Sequence, residues 1–244
     1  ASIYYKEQQR LYGKADFYSM DPFHEGGNAG GVDLRKAGES IMGAMKAANP
    51  NAVWVVQAWG ACPYPAMIKN LKNGDMLVLD LYSENRPQWG DPESTWYRKE
   101  GFNGHDWAFC MLLNFGCNVG LYGKLQHVVD EYYKARQSKF VSTLKGVGLT
   151  MEGIENNPVM YELVSELPWR NDKFSWKEWL HDYVEARYGN INNTKVHDAW
   201  LLLARSVYGA GAKIVEQGCH ESVLCARPAL DVYQVSSWSE MEEF

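Results

Sequence analysis

The sequence lacks the features of a membrane-spanning or nucleic-acid-binding protein. None of its apolar stretches approaches the roughly 20 residues that cross a bilayer. Its formal net charge of −6 provides no basic excess to neutralise a phosphate backbone. We therefore expect no membrane span and no nucleic-acid partner. The opening Ala1–Arg10 has neither the charged-then-apolar order of a signal peptide nor an initiating methionine, which suggests a processed or truncated product.

Cysteine is also scarce, and its distribution does not indicate a disulfide framework. The chain has five cysteines, at Cys62, Cys110, Cys117, Cys219 and Cys225. Cys110 and Cys117 lie in an apolar, strand-like segment, so we expect buried thiols. Cys219 and Cys225 could close a short loop, but the odd count leaves the redox compartment undecided.

Motifs of several enzyme classes are missing as well. The pairs Gly26–Gly27 and Gly30–Gly31 have the wrong spacing for a dinucleotide-binding loop, and no G-x-S-x-G elbow occurs. His220–Glu221, between two cysteines, and His105–Asp106 do not match zinc-site spacing. We therefore expect no catalytic metal and no cofactor.

Aromatic residues, in contrast, are abundant. The chain has ten tryptophans and fifteen tyrosines, whose flat rings suit the C–H faces of sugars as well as apolar cores. We expect most of them to pack in the core and those at strand ends to be available for binding.

The first two-thirds of the chain alternates strand-like and helix-like segments, which is typical of a parallel sheet with crossover helices. The predicted strands are Ala15–Ser19, Ala52–Ala58, Met76–Tyr82, Trp107–Phe115 and Phe140–Met151. The predicted helices are Leu34–Ala48, Tyr64–Leu71, Tyr122–Gln137 and Pro158–Glu166. The fold class is therefore α/β, as a barrel or an open sheet. Five units are three fewer than a (β/α)8 barrel needs, so a barrel would lack about three amino-terminal units.

Beyond Leu167 only helical patterns occur. Ser175–Glu178 resembles a capping box, and Thr194 can cap a second helix ended by Gly209. We predict two domains: residues 1–167 as the carboxyl-terminal part of a barrel, and residues 168–244 as the beginning of an all-α domain.

The carboxyl ends of parallel strands meet at one edge of a sheet, where barrel enzymes place their active sites. These ends carry an imidazole, an amide, two aromatic rings and several carboxylates. Glycosidases use a pair of carboxyl groups, and Glu25 and Glu152 follow different strands. Asp21 and Glu84 are competing candidates.

Several motifs, in this order, resemble glycoside hydrolase family 89, the α-N-acetylglucosaminidases. The resemblance covers nearly the whole chain and includes Asp21–Glu25, Ala52–Trp59, Met76–Leu81, Cys110–Gly116, Gly148–Pro158, Ser165–Arg170 and the segment from Glu221–Ser222 to Arg227–Pro228.

The resemblance implies a retaining exo-glycosidase that removes terminal α-linked N-acetylglucosamine from glycans. It places the acid/base on Glu25 and the nucleophile on Glu152. Trp59, Leu112 and Phe115 match positions that line the sugar pocket, and we include their neighbour Asn114. Family members often carry asparagine before the acid/base, whereas this chain has His24, a titratable group that can also bond a sugar hydroxyl or amide.

Two alternatives stay open. One is a barrel glycosidase with another α-hexoside specificity, and the other is a non-catalytic sugar-binding or structural fragment. The family's substrates suggest an extracytoplasmic location, lysosomal, periplasmic or secreted. The sequence gives no indication of oligomeric state.

Overall fold

The computed structural model describes residues 1–25, 27–113, 121–153, 157–189 and 194–209, together with Leu230. These residues form two compact units. The first comprises residues 1–110 and 138–148, and the second comprises residues 111–137 and 149 onward. The predicted domain boundary after Leu167 stays a prediction. None of the described helices is long and apolar enough to cross a membrane.

The first unit is built around one five-stranded sheet. Its strands are β1 (Phe17–Ser19), β2 (Val53–Ala58), β3 (Met76–Asp80), β4 (Asp106–Met111) and β5 (Leu144–Leu149). They are neighbours in sequence order, and β1–β2, β2–β3 and β3–β4 pair in parallel. Sequential parallel strands are the pattern of a (β/α) barrel wall. This sheet confirms the predicted fold class, a partial TIM-type barrel.

Three helices belong to the first unit: α1 (Ser2–Tyr12), α2 (Leu34–Ala48) and α3 (Pro65–Ile68). The Asp33 side chain accepts a hydrogen bond from the Lys36 backbone N–H and caps α2. Sequence patterns did not predict α1, because this helix buries a single side chain, Tyr5, and so lacks an apolar stripe.

Each predicted strand exists, but all five are shorter than predicted, and the last two differ most. β4 ends at Met111, and Val141–Thr143 forms a short 3₁₀ turn before β5. The apolar run that continues past Met111 includes Leu112 and Leu113, which are buried without being part of a strand. A continuous apolar sequence therefore does not distinguish a buried loop from a buried strand.

The second unit contains α4 (Leu125–Arg136), α5 (Pro158–Glu166), α6 (Trp176–Tyr188) and α7 (Thr194–Arg205). The α6 face is buried through Trp179, Leu180, Tyr183 and Val184. The Ser175 side chain caps α6 by accepting from the Lys177 N–H, so the capping box predicted with Glu178 is not formed. α7, over the described residues Thr194–Arg205, ends before the predicted stop at Gly209.

Asn157 does not cap α5 with its side chain, contrary to prediction. Its Oδ1 atom accepts from the Tyr122 backbone N–H at 3.3 Å and from the Tyr208 hydroxyl at 3.4 Å. Asn157 is 1% exposed, and these long-range bonds take the place of the local one. It therefore connects three chain segments within the second unit.

Close packing between α2 and α3 depends on Gly38. A Cβ atom at this position would lie 2.0 Å from the Met67 carbonyl oxygen. Backbone cannot move away as a flexible side chain can, so we expect Gly38→Ala to reduce the free energy of unfolding by about 2 kcal/mol or more. Urea unfolding would measure the change.

Gly43 in the same helix provides the matched control. A Cβ atom there would meet nothing within 4 Å. Gly43→Ala should therefore add about 0.5–1 kcal/mol through helix propensity alone. Equal effects of the two substitutions would contradict the proposed packing constraint.

Candidate active site

The loops after β1 and β2 are joined by a bidentate contact. Asp21 Oδ1 accepts from the Gln57 backbone N–H at 2.8 Å, and Asp21 Oδ2 accepts from Gln57 Nε2 at 2.9 Å. The parallel register of β1 and β2 carries both residues to the same edge of the sheet. Because both oxygens are engaged, Asp21 orients the loop, and this distinguishes it from Glu25 as a candidate acid.

Glu25 lies on a strained turn and is exposed. Its φ is 46°, and Phe23 in the same turn has φ 61°. The left-handed region costs a non-glycine residue about 1 kcal/mol or more, so neighbouring contacts must hold the turn. The Trp54 indole N–H donates to the Met20 carbonyl at 2.7 Å, and the buried Cys62 thiol donates to the Phe23 carbonyl at 3.3 Å.

His24 is mostly enclosed, with 17% of its side chain exposed. Its Nδ1 lies 4.0 Å from Asp21 Oδ1, which makes an ion pair only when the ring is protonated. Its Nε2 is buried and has no hydrogen-bond partner among the described residues. A buried polar atom of this kind favours a polar partner.

Trp59, at the end of β2, belongs to an aromatic cluster. Its ring stacks on Tyr82 with centroids 6.1 Å apart and meets Trp96 edge-on at 4.7 Å. The Arg86 guanidinium lies 5.2 Å from the centre of the Trp96 ring. Tyr82 is buried, whereas Trp59 and Trp96 are half-buried. The loop after β3 therefore adds Tyr82, Arg86 and Trp96 to the candidate site, three residues that sequence patterns did not predict.

Asp80, the last residue of β3, is fully buried and was also missed. Its Oδ2 accepts from the Gln88 and Trp89 backbone N–H groups at 2.9 and 3.1 Å, and its Oδ1 has no hydrogen-bond partner among the described residues. Burial raises the Asp80 pKa to about 7, although these two hydrogen bonds oppose the rise. A carboxylate at the end of an apolar strand was the available sequence signal.

Arg98 fastens the same loop to the turn after β2. Its guanidinium donates to the carbonyls of Ala61, Cys62 and Pro63 and to Gln88 Oε1, at 2.6–3.1 Å. Burial lowers the Arg98 pKa, and the Asp80 charge opposes that effect. Five donors on a planar fork suit several acceptors at once.

The loop also packs on Phe140. A Cβ atom at Gly90 (φ 122°) would lie 2.1 Å from the Phe140 ring, and one at Gly101 (φ 50°) would lie 2.7 Å from the Trp89 carbonyl oxygen. Only glycine fits these two close approaches.

The other competing carboxylate, Glu84, is 2% exposed, in contrast to the exposed Glu25.

Among the residues that the structure describes, two predicted site residues belong to the second unit. Leu112 is fully buried, and Glu152 is exposed. The Thr150 N–H and hydroxyl both donate to the Met111 carbonyl, at 3.0 and 3.2 Å. This anchor lies next to Leu112 and two residues before Glu152. Asn114 and Phe115 lie outside the described residues.

Of the remaining polar candidates, some are buried in the protein interior and the others lie outside the described residues. His105 is buried, and its Nε2 is 3.0 Å from the Ile68 carbonyl oxygen. Cys110 is a buried free thiol, as predicted. Cys117, Cys219, His220, Glu221 and Cys225 lie outside the described residues.

Comparison with known proteins identifies the class. A family 89 glycoside hydrolase from Clostridium perfringens in complex with PUGNAc is 32% identical, with a TM-score of 0.79, and the match covers 98% of this chain and 26% of that chain. Another C. perfringens structure, with two glutamates replaced by glutamine and its substrate GlcNAc-α-1,4-galactose bound, has a TM-score of 0.80 at the same identity and coverage. The fold is that of family 89 glycoside hydrolases.

The family follows from the sequence comparisons. The model "Alpha-N-acetylglucosaminidase (NAGLU) tim-barrel domain" matches residues 1–171, and the C-terminal domain model matches residues 179–243. Human α-N-acetylglucosaminidase is 32% identical over 249 residues, covering 97% of this chain and 32% of the human protein. The chain belongs to the α-N-acetylglucosaminidase family, as its motifs indicated. It spans about a third of the length of this curated relative.

The raised Asp80 pKa predicts a specific pH dependence. Because the pKa rises from 3.8 to about 7 on folding, the stability contributed by protonated Asp80 is complete below pH 3.8 and is lost as pH rises through 7. Asp80→Asn keeps an acceptor and stays neutral. At pH 8 it should therefore be more stable than the parent, by up to the order of 4 kcal/mol, whereas near pH 4 the difference should vanish.

Urea unfolding at both pH values would measure this difference. Asp33→Asn is the matched control, since asparagine also caps a helix well and Asp33 is exposed. We expect it to leave the pH dependence unchanged. If the free energy of unfolding changed equally between the two pH values in the Asp80→Asn variant and its parent, Asp80 would not be the group that causes the pH dependence.

Proposed function

We propose that the full-length protein is a retaining exo-glycosidase that hydrolyses terminal α-linked N-acetylglucosamine from glycans. Membership of the α-N-acetylglucosaminidase family across most of the chain carries the proposal. The aromatic cluster around Trp59, at the carboxyl ends of the strands, provides a platform suited to a sugar ring. A relative's complex with GlcNAc-α-1,4-galactose supports this substrate class.

The α linkage determines which group must act as the nucleophile. In an α-N-acetylglucosaminide the acetamido group lies on the same side of the ring as the leaving group, so its oxygen cannot attack from the opposite face. In the proposed double displacement, a protein carboxylate therefore forms the bond to the anomeric carbon. A glycosyl-enzyme intermediate and net retention of configuration follow.

Glu25 is proposed as the acid/base and Glu152 as the nucleophile. Glu152 attacks the anomeric carbon while Glu25 protonates the departing oxygen, and Glu25 then deprotonates the water that releases the sugar. Both residues are exposed and follow strand ends. The C. perfringens substrate complex, which carries two glutamate-to-glutamine substitutions, is consistent with a pair of essential glutamates.

His24 and Trp59 are proposed to contact the sugar, together with Leu112, Asn114 and Phe115. The buried, unpartnered Nε2 of His24 supports a polar contact. Trp59 would lie against the apolar face of the ring. Asp21 orients the loop, since both of its oxygens already bind Gln57.

The role of Glu25 is tested by varying the leaving group. On a substrate with a poor leaving group, Glu25→Gln should lose about 10²–10⁴-fold in kcat/KM, because protonation of the leaving oxygen is removed. On an aryl α-N-acetylglucosaminide with a good leaving group, kcat/KM of the same variant should fall far less. Azide should restore turnover and give the α-glycosyl azide, since azide needs no general base. Initial rates and NMR of the products would measure both effects.

Glu152→Gly should instead be inactive on both substrates and should give the β-glycosyl azide when rescued. Glu39→Gln, an exposed carboxylate on α2, is the control and should retain parent activity. Equal losses on both substrates in Glu25→Gln would overturn the acid/base assignment. Parent turnover of α-glucosides equal to that of the acetamido sugar would favour another hexoside specificity, and no turnover at all would favour a binding role.

A further inference from the structure

Three side chains in the second unit form a cluster that contains none of the predicted site residues. His181 and Glu185 lie on α6, and His197 lies on α7. One potential ligand atom from each lies within 4.8 Å of the others. Among the described residues, no other group of three His, Cys, Asp or Glu side chains meets this condition.

The two helices place these side chains together for simple reasons. His181 and Glu185 are four residues apart, so they share one face of α6. The Tyr183 ring packs edge-on against Trp200 of α7 at 5.1 Å, and Trp200 Nε1 donates to the Tyr188 hydroxyl at 3.3 Å. These contacts hold α6 and α7 together independently of the cluster.

The distances within the cluster suit a metal ion. His197 Nε2 lies 2.9 Å from Glu185 Oε1, and the His181 and His197 rings stack with centroids 4.8 Å apart. Two ligands at tetrahedral angles, each about 2.1 Å from zinc, are about 3.4 Å apart. The stacked ring of His181 has to rotate to direct a nitrogen at the same ion. Its side chain is 65% exposed, so the rotation breaks the stacking on His197 and otherwise turns the ring through solvent.

We propose that His181, Glu185 and His197 bind one divalent transition-metal ion of the Zn²⁺ type. Two imidazoles and a carboxylate are a common zinc ligand set, with a fourth position for water. Mg²⁺ and Ca²⁺ favour oxygen ligands in larger number, so the cluster discriminates against them. The Asp182 carboxylate lies 3.8 Å from His181 Nδ1 and is placed to orient the ring from the outer shell. The bound ion joins α6 to α7.

Binding is tested on the full-length protein after removal of metals with a chelator. Calorimetric titration with Zn²⁺ should give one high-affinity ion at this site, and Mg²⁺ at the same concentration should give none. Outer-shell changes alone weaken metal affinity by about 10- to 100-fold. We therefore expect Glu185→Gln and His197→Gln each to weaken this site by about 100-fold or more.

Asp198→Asn is the matched control, because Asp198 is exposed beside His197 and is not in the cluster. It should bind Zn²⁺ like the parent. Melting curves without metal show whether each variant folds. His181→Gln, at the most exposed ligand, provides the test if His197→Gln does not fold. Co²⁺ in place of Zn²⁺ should give a visible spectrum without the near-ultraviolet band of a thiolate.

The proposal is overturned if Zn²⁺ binds with undiminished affinity to Glu185→Gln and His181→Gln, or if Co²⁺ reports thiolate ligands. Absence of Zn²⁺ binding by the parent would overturn it equally and would leave the cluster with only the hydrogen bond between Glu185 and His197. These results do not depend on hydrolysis and are separate from failure of the proposed glycosidase activity.

Discussion

The burial of one carboxyl group, that of Asp80, shapes the candidate site in the first unit. The segment from Leu81 to His105 has no helix or strand, yet much of it is buried. Backbone polar groups in such a segment need partners other than a regular ladder. Asp80 satisfies two of them, at Gln88 and Trp89, and Arg98 satisfies carbonyls of the neighbouring turn. Trp96 reaches Trp59 because this framework holds the loop.

The turn that presents Glu25 shows the same principle on a smaller scale. Phe23 and Glu25 adopt left-handed backbone angles, which cost energy that local sequence does not recover. The hydrogen bonds from Gln57 to Asp21 and from Cys62 to the Phe23 carbonyl, which come from β2 and the turn after it, stabilise this conformation. A backbone turn that its surroundings hold in one conformation loses little freedom when a substrate arrives.

Sequence patterns predicted the parts of the molecule that depend on local periodicity. The parallel strands were readable from continuous apolar runs, and α2 and α5 were predicted with their observed bounds. Asp80 and Arg98 could not be assigned roles, because their partners are set by loop geometry that no period encodes. The Asn157 side chain was assigned a local cap, but tertiary contacts with Tyr122 and Tyr208 prevailed. The His181, Glu185 and His197 cluster escaped notice because its members come from two helices.

The close approach of Gly90 and Gly101 to their neighbours has a consequence for how this loop can diversify. The segment is fastened at Gln88–Trp89 and at Arg98, and Phe140 fills the space beside both glycines. An insertion at either glycine would displace an aromatic ring from the first unit. Changes in length are therefore confined to the largely exposed arc Pro92–Tyr97, which carries Trp96. A change in the length of this segment can alter the position of the Trp96 side chain while the strands of the sheet stay as they are.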